Sequence, residues 1–131
     1  MCTERGPKRV AAALAVACGM LWLAGCGGDG GRGAELAVGQ DLYRTSCALC
    51  HGLNAEGRGL LGNDLRANEF IRGLTDEDLV EFIRRGRPAT HPDNSRGIEM
   101  PPRGGNPRLT DEQMRDIAIY LRSLEQSSHA P

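Results

Sequence analysis

The chain has 131 residues, 16 basic against 17 acidic side chains, five cysteines and only five aromatics. That length fits one domain with a targeting segment and excludes a large barrel or two-domain enzyme. The balanced charge offers no broad basic field for nucleic acid, and an odd cysteine count excludes a framework in which every cysteine is paired.

The first segment reads as an export signal. Arg5, Lys8 and Arg9 make a basic start, and Val10 to Ala24 is apolar except at Gly19. Small residues and a glycine-rich stretch follow. Fifteen residues are short for a membrane span, which needs about 20; an uncleaved anchor helix is the competing reading. Leu23-Ala24-Gly25-Cys26 resembles the lipobox of bacterial lipoproteins, in which the chain is cut before the cysteine and the cysteine is acylated. Residues 1–25 are then the signal and Cys26 the lipidated first residue. Each buried methylene would add about 0.8 kcal/mol to the anchor. Cys18 is the weaker cleavage point, because Met20 to Ala24 would stay exposed.

From Gly27 onward, 35 of 105 residues are apolar and the only tryptophan, Trp22, is gone. So thin a core needs outside support, such as a cofactor. Residues 26–37 read as a flexible glycine-rich tether, residues 38–125 as the domain and 126–131 as a polar tail.

The first helix is expected over Val38 to Leu49, with Val38, Leu42 and Tyr43 on one face. The second is expected over Asp76 to Arg85. Thr75 is its N-cap, acidic residues sit at its start, and Leu79, Val80, Phe82 and Ile83 form its stripe. Gly86 and Pro88 end it. The third is expected over Asp111 to Leu124 behind a capping box of Thr110 and Gln113, with Met114, Ile117, Ala118, Leu121 and Leu124 facing the core. Gly52 to Gly73 and Gly86 to Leu109 are long loops, the former with a possible helical turn near Asn68 to Ile71. Two such loops in so small a domain need something to wrap around.

Cys47-Ala48-Leu49-Cys50-His51 is the attachment pattern of c-type haem. Residues three apart on a helix or tight turn share a face, so two thiols can reach one porphyrin edge while the next histidine offers its imidazole to the iron. A zinc site would need His91 or His129 as further ligands. A thioredoxin-like dithiol expects a strand-helix-strand setting, and a plain disulfide leaves the histidine unexplained.

Gly39 to Tyr43 before that motif, and Ile117 to Leu121 after it, resemble the first and last helices of class I cytochromes c. Gly97-Ile98-Glu99-Met100-Pro101-Pro102 resembles their methionine loop. The resemblance covers about Val38 to Leu124. It implies an all-α fold of three main helices and a possible short one around a single covalent haem, with His51 and Met100 as iron ligands. It also implies that the backbone carbonyl of Asn63, where the family usually has proline, accepts the histidine's free N–H, and that Leu65 packs against the ring. Met114 reads as core and His91 as the alternative ligand. Arg87 and Arg103 are candidates for the propionates.

Histidine and methionine together close the iron to small ligands and raise its potential. The expected function is single-electron transfer between membrane redox complexes, such as a quinol-oxidising complex and a terminal oxidase. The expected form is a monomer tethered by lipid to a bacterial membrane, facing the periplasm or cell exterior. No catalytic residue, small-molecule substrate or nucleic acid is expected. Docking is expected around Ala48, Leu49, Pro101 and Pro102. The alternatives are a haem subunit of a fixed complex, or a gas- or peroxide-reactive domain if Met100 is not bound.

Overall fold

The computed structural model describes residues 30–127. The signal segment, Cys2, Cys18, Cys26 and His129 lie outside them. Among the described residues five α-helices follow one another: α1 Gly30–Ser46, α2 Ala48–His51, α3 Glu69–Arg72, α4 Asp76–Arg85 and α5 Asp111–Ser127, with a 3-10 turn at Pro102–Gly105. Among the described residues only two isolated bridges, Arg58 with Gly62 and Arg87 with Met100, have strand-like pairing. The fold is all-α.

The architecture rests on the crossing of α1 with α5. Gly39 is the close point: a Cβ there would stand 2.0 Å from the Asp116 carbonyl oxygen. With no side chain, the two backbones meet directly. One turn on, Tyr43 is fully buried and its ring packs on Tyr120 with centroids 5.2 Å apart. Its hydroxyl donates to the Gly52 carbonyl at 2.9 Å, which ties α1 to the end of the cysteine motif.

α4 keeps the predicted bounds. Thr75 Oγ1 accepts the Asp78 N–H at 3.1 Å, and Leu79, Val80 and Ile83 are buried. The capping box of α5 is formed in both directions: Thr110 Oγ1 accepts from Gln113 N–H at 3.2 Å, and Gln113 Oε1 from Thr110 N–H at 3.0 Å. Asn68 caps α3 by accepting from Phe70 and Ile71.

Four expectations are corrected. α1 begins at Gly30, so residues 30–37 of the expected tether are helical, with Leu36 packed against the core. The expected first helix also breaks at Cys47, where α2 starts. Val38 is 47% exposed rather than core-facing. α5 runs to Ser127, so the tail's first two residues extend the helix.

Candidate functional site

The cysteine motif is placed by the end of α1. Cys47 N–H donates to the Tyr43 carbonyl at 2.8 Å, and the Cys47 carbonyl accepts from Cys50 and His51 at 3.1 and 3.0 Å. This one-turn helix sets the two thiols three residues apart, and Gly52, at φ +84°, terminates it. Both thiols are free. Burial, and secondarily the neighbouring Cys50, pushes the Cys47 thiol up to about 12. A redox-active dithiol pair shows the opposite, a lowered thiol.

The chain then loops back to the histidine. Gly62 returns so closely that a Cβ would stand 2.4 Å from the Cys50 carbonyl oxygen and 2.9 Å from His51 Nδ1. The next residue offers its carbonyl: His51 Nδ1 lies 2.9 Å from Asn63 O. A carbonyl can only accept, so this contact assigns the ring proton to Nδ1 and leaves Nε2 as the free donor atom.

Met100 is carried by the other long loop. Arg87 N–H donates to the Met100 carbonyl at 2.8 Å, and Met100 N–H to the Arg87 carbonyl at 2.9 Å. Gly86, at φ +67°, permits the approach, since a Cβ there would meet the Met100 oxygen at 2.2 Å.

Cys47, Cys50, His51, Leu65 and Met100 all line one cleft of about 390 Å³, together with Asn63. Its apolar wall comes from Tyr43 of α1, Leu79 and Ile83 of α4, and Ile117 and Leu121 of α5. Two thiols, an imidazole with a fixed tautomer and a thioether around an apolar cleft are the donor set that a covalently held haem requires, so the residues fit that group.

The remaining candidates lie elsewhere or differ in role. His91 is exposed, and its Nδ1 accepts the Asp93 N–H at 3.2 Å; it does not line the cleft. Met114 is fully buried in the core. Of the two arginine candidates only Arg87 lines the cleft. Its guanidinium stacks on Phe70 and Phe82, 4.5 and 4.8 Å from the ring centroids. Arg103 is turned to the Leu109 carbonyl and lies 3.8 Å from Asp111. Ala48 is 5% exposed and cannot be a docking contact, whereas Leu49 is 75% exposed.

Sequence reasoning missed Arg96. It lines the cleft and donates to the Asn63 side-chain oxygen and the Gly59 carbonyl. The pairing spans 33 residues in sequence between two irregular loops, so no local pattern announces it.

The chain matches the family described as cytochrome C oxidase, cbb3-type, subunit III over residues 34–121. It is similar to the cbb3-type cytochrome c oxidase subunit FixP of Sinorhizobium medicae (strain WSM419), at 32% identity over 96 residues, covering 73% of this chain and 32% of that one. The subunit CcoP of Rubrivivax gelatinosus is 29% identical over 94 residues, covering 72% and 27%. Cytochrome c-555 of Prosthecochloris aestuarii is 32% identical over 89 residues, covering 66% of this chain and 85% of the relative. The chain thus spans between a quarter and a third of the length of these oxidase subunits. No solved structure gave a significant match.

Proposed function

The chain belongs to the cytochrome c oxidase, cbb3-type, subunit III family, and on that premise we propose that it is a membrane-tethered haem c protein that carries single electrons. The observation that carries this reading is the placing of Cys47, Cys50, His51 and Met100 on one apolar cleft. When bound through the two cysteines, one haem supplies a one-electron iron couple. His51 offers Nε2 because Asn63 holds its other nitrogen, and Met100 offers its sulfur from a backbone pinned on Arg87. His51 and Met100 would hold the iron between them, leaving it closed to small ligands, and a thioether ligand would raise its potential. The apolar wall excludes water.

Residues 1–25 act as the signal, and Cys26 carries the lipid that holds the domain at a bacterial membrane on the periplasmic or outer side. The electron donor and acceptor are membrane redox complexes, a quinol-oxidising complex and a terminal oxidase among them. A second reading has a specific support: two of the relatives named above are oxidase subunits. The domain would then be a fixed haem subunit rather than a shuttle. Cytochrome c-555, most of whose length this chain covers, favours the independent carrier.

Mass spectrometry of membrane-extracted protein tests the core of this. It should show one haem, acyl chains and a start at Cys26. A haem-free, full-length mass would overturn it. Co-purification with a large complex in mild detergent would favour the fixed subunit. High-spin oxidised iron in the wild type would reject Met100 as ligand.

A further inference from the structure

The cleft is bordered by two loops that have no helix to hold them. One runs from Gly52 to Asn68 and bears Asn63; the other runs from Gly86 to Met100. Asn63 uses both its polar ends. Its backbone carbonyl holds the His51 ring at 2.9 Å, and its side-chain oxygen takes the guanidinium of Arg96. The same guanidinium reaches the Gly59 carbonyl. Arg96 is itself placed by its own loop: its N–H donates to Asn94 Oδ1 at 3.3 Å, and the Asn94 amide donates to the Pro88 and Ile98 carbonyls at 2.9 and 2.7 Å. The carbonyl that orients the histidine is therefore held from across the cleft.

We infer that Arg96 is a positioning residue for His51, acting through Asn63, and that it couples the loop bearing Met100 to the loop that orients the histidine. The physical reason is local. Asn63 has no ring to restrict its backbone, so its carbonyl needs an external hold. A charged donor on a side-chain oxygen is a strong one. The inference deepens the haem reading and rests on it.

The test uses the intact haem-loaded protein, with covalent haem verified by mass in every sample. The primary readout is the solvent-exchange rate of the His51 Nδ1 proton in the reduced state, followed by NMR. In Arg96→Gln this exchange should speed by about tenfold, the scale expected when a charge-assisted hold is lost. Asn63→Ala removes the acceptor but keeps the backbone carbonyl, and should give the same change. In Asn63→Pro the ring restricts the backbone directly, so adding Arg96→Gln should have no further effect.

Unchanged exchange in both Arg96→Gln and Asn63→Ala would overturn the inference while leaving the haem reading intact. So would a shifted reduction potential with unchanged exchange, because Arg96 would then act as a charge on the cleft rather than through Asn63. A wild-type chain without covalent haem would overturn both. Should Arg96→Gln fail to fold, Asn63→Ala carries the test alone.

Discussion

Two glycines with positive φ differ in what a side chain there would meet, and Gly86 also has ψ −163°, a region essentially confined to glycine. Gly86 and Gly59 have φ of +67° and +51°, but a Cβ at Gly59 meets nothing within 4 Å while one at Gly86 meets Met100 O at 2.2 Å. Gly59→Ala should lower stability by only about 1 kcal/mol, the left-handed penalty for a side chain. Gly86→Ala adds a backbone collision that must push the methionine loop away. We expect it to keep covalent haem but to lose the sulfur-to-iron charge-transfer band of the oxidised protein. A retained band would mean that the loop absorbs the methyl group without moving Met100. Cys47, Cys50 and His51, which line one cleft, stand out in the sequence because haem attachment needs those residue types at that spacing. Gly86 could be read only as a helix stop. That it is also the seat of Met100 depends on a contact 14 positions away, which a linear pattern does not carry.

At the scale of elements, α5 is the member that organises the rest. Arg122 donates to Asp76 at 2.9 Å, to the Ile71 and Leu74 carbonyls at 2.9 and 2.6 Å, and to Glu125 at 3.3 Å. One guanidinium thus fastens the α3–α4 junction to α5. Arg122→Met should cost roughly 2–4 kcal/mol in denaturant unfolding, because it takes this donor from the Leu74 carbonyl and from two carboxylates, one of them the buried Glu125, while the Ile71 carbonyl keeps the Leu74 N–H. Lysine cannot restore it, having no fork to reach all four. Where it meets α1, α5 carries an unfavourable charge. Asp116 is raised above the usual carboxylate range by burial, and then by Glu112 and Glu35. The folded state therefore binds this proton more tightly than the unfolded chain. Stability is lost as pH rises from about 4, the unfolded value, through the raised folded value. Asp116→Asn should raise stability by a few tenths of a kcal/mol at pH 7, on the scale of like-charge helix pairs. It should change nothing at pH 2, where both states are protonated. Helices α4 and α5 were legible because caps and stripes are local signals: Thr75, Thr110 and Gln113 make the contacts their spacing implies. The start of α1 was not. Gly30, Gly31 and Gly33 are poor helix formers, and the packing of Leu36 against the core is a tertiary contact that local propensity does not carry.

For the whole molecule, the aromatic-poor composition has a structural counterpart. The cleft wall and the hydrophobic core are made of the same side chains: Tyr43, Leu79, Ile83, Ile117 and Leu121 belong to both. Elsewhere a domain can lose its ligand and keep its core. Here an open cleft of about 390 Å³ would remain at the meeting point of α1, α4 and α5, and the two long loops would lose what they enclose. A domain of this size buries too little apolar surface to tolerate that. We therefore expect the Cys47→Ala/Cys50→Ala chain, prepared without haem, to keep much of its helical far-UV circular dichroism. It should lose a cooperative thermal transition and bind a hydrophobic dye, as loosely packed compact states do. The helix signals of α4 and α5 survive in that chain because they are local. The α1–α5 crossing at Gly39 survives only in part, because Tyr43 and Ile117 next to it face the cleft. A sharp, two-state transition in the haem-free chain would show that the crossing and the Arg122 junction suffice to hold the fold, and that the cofactor contributes chemistry without contributing the core.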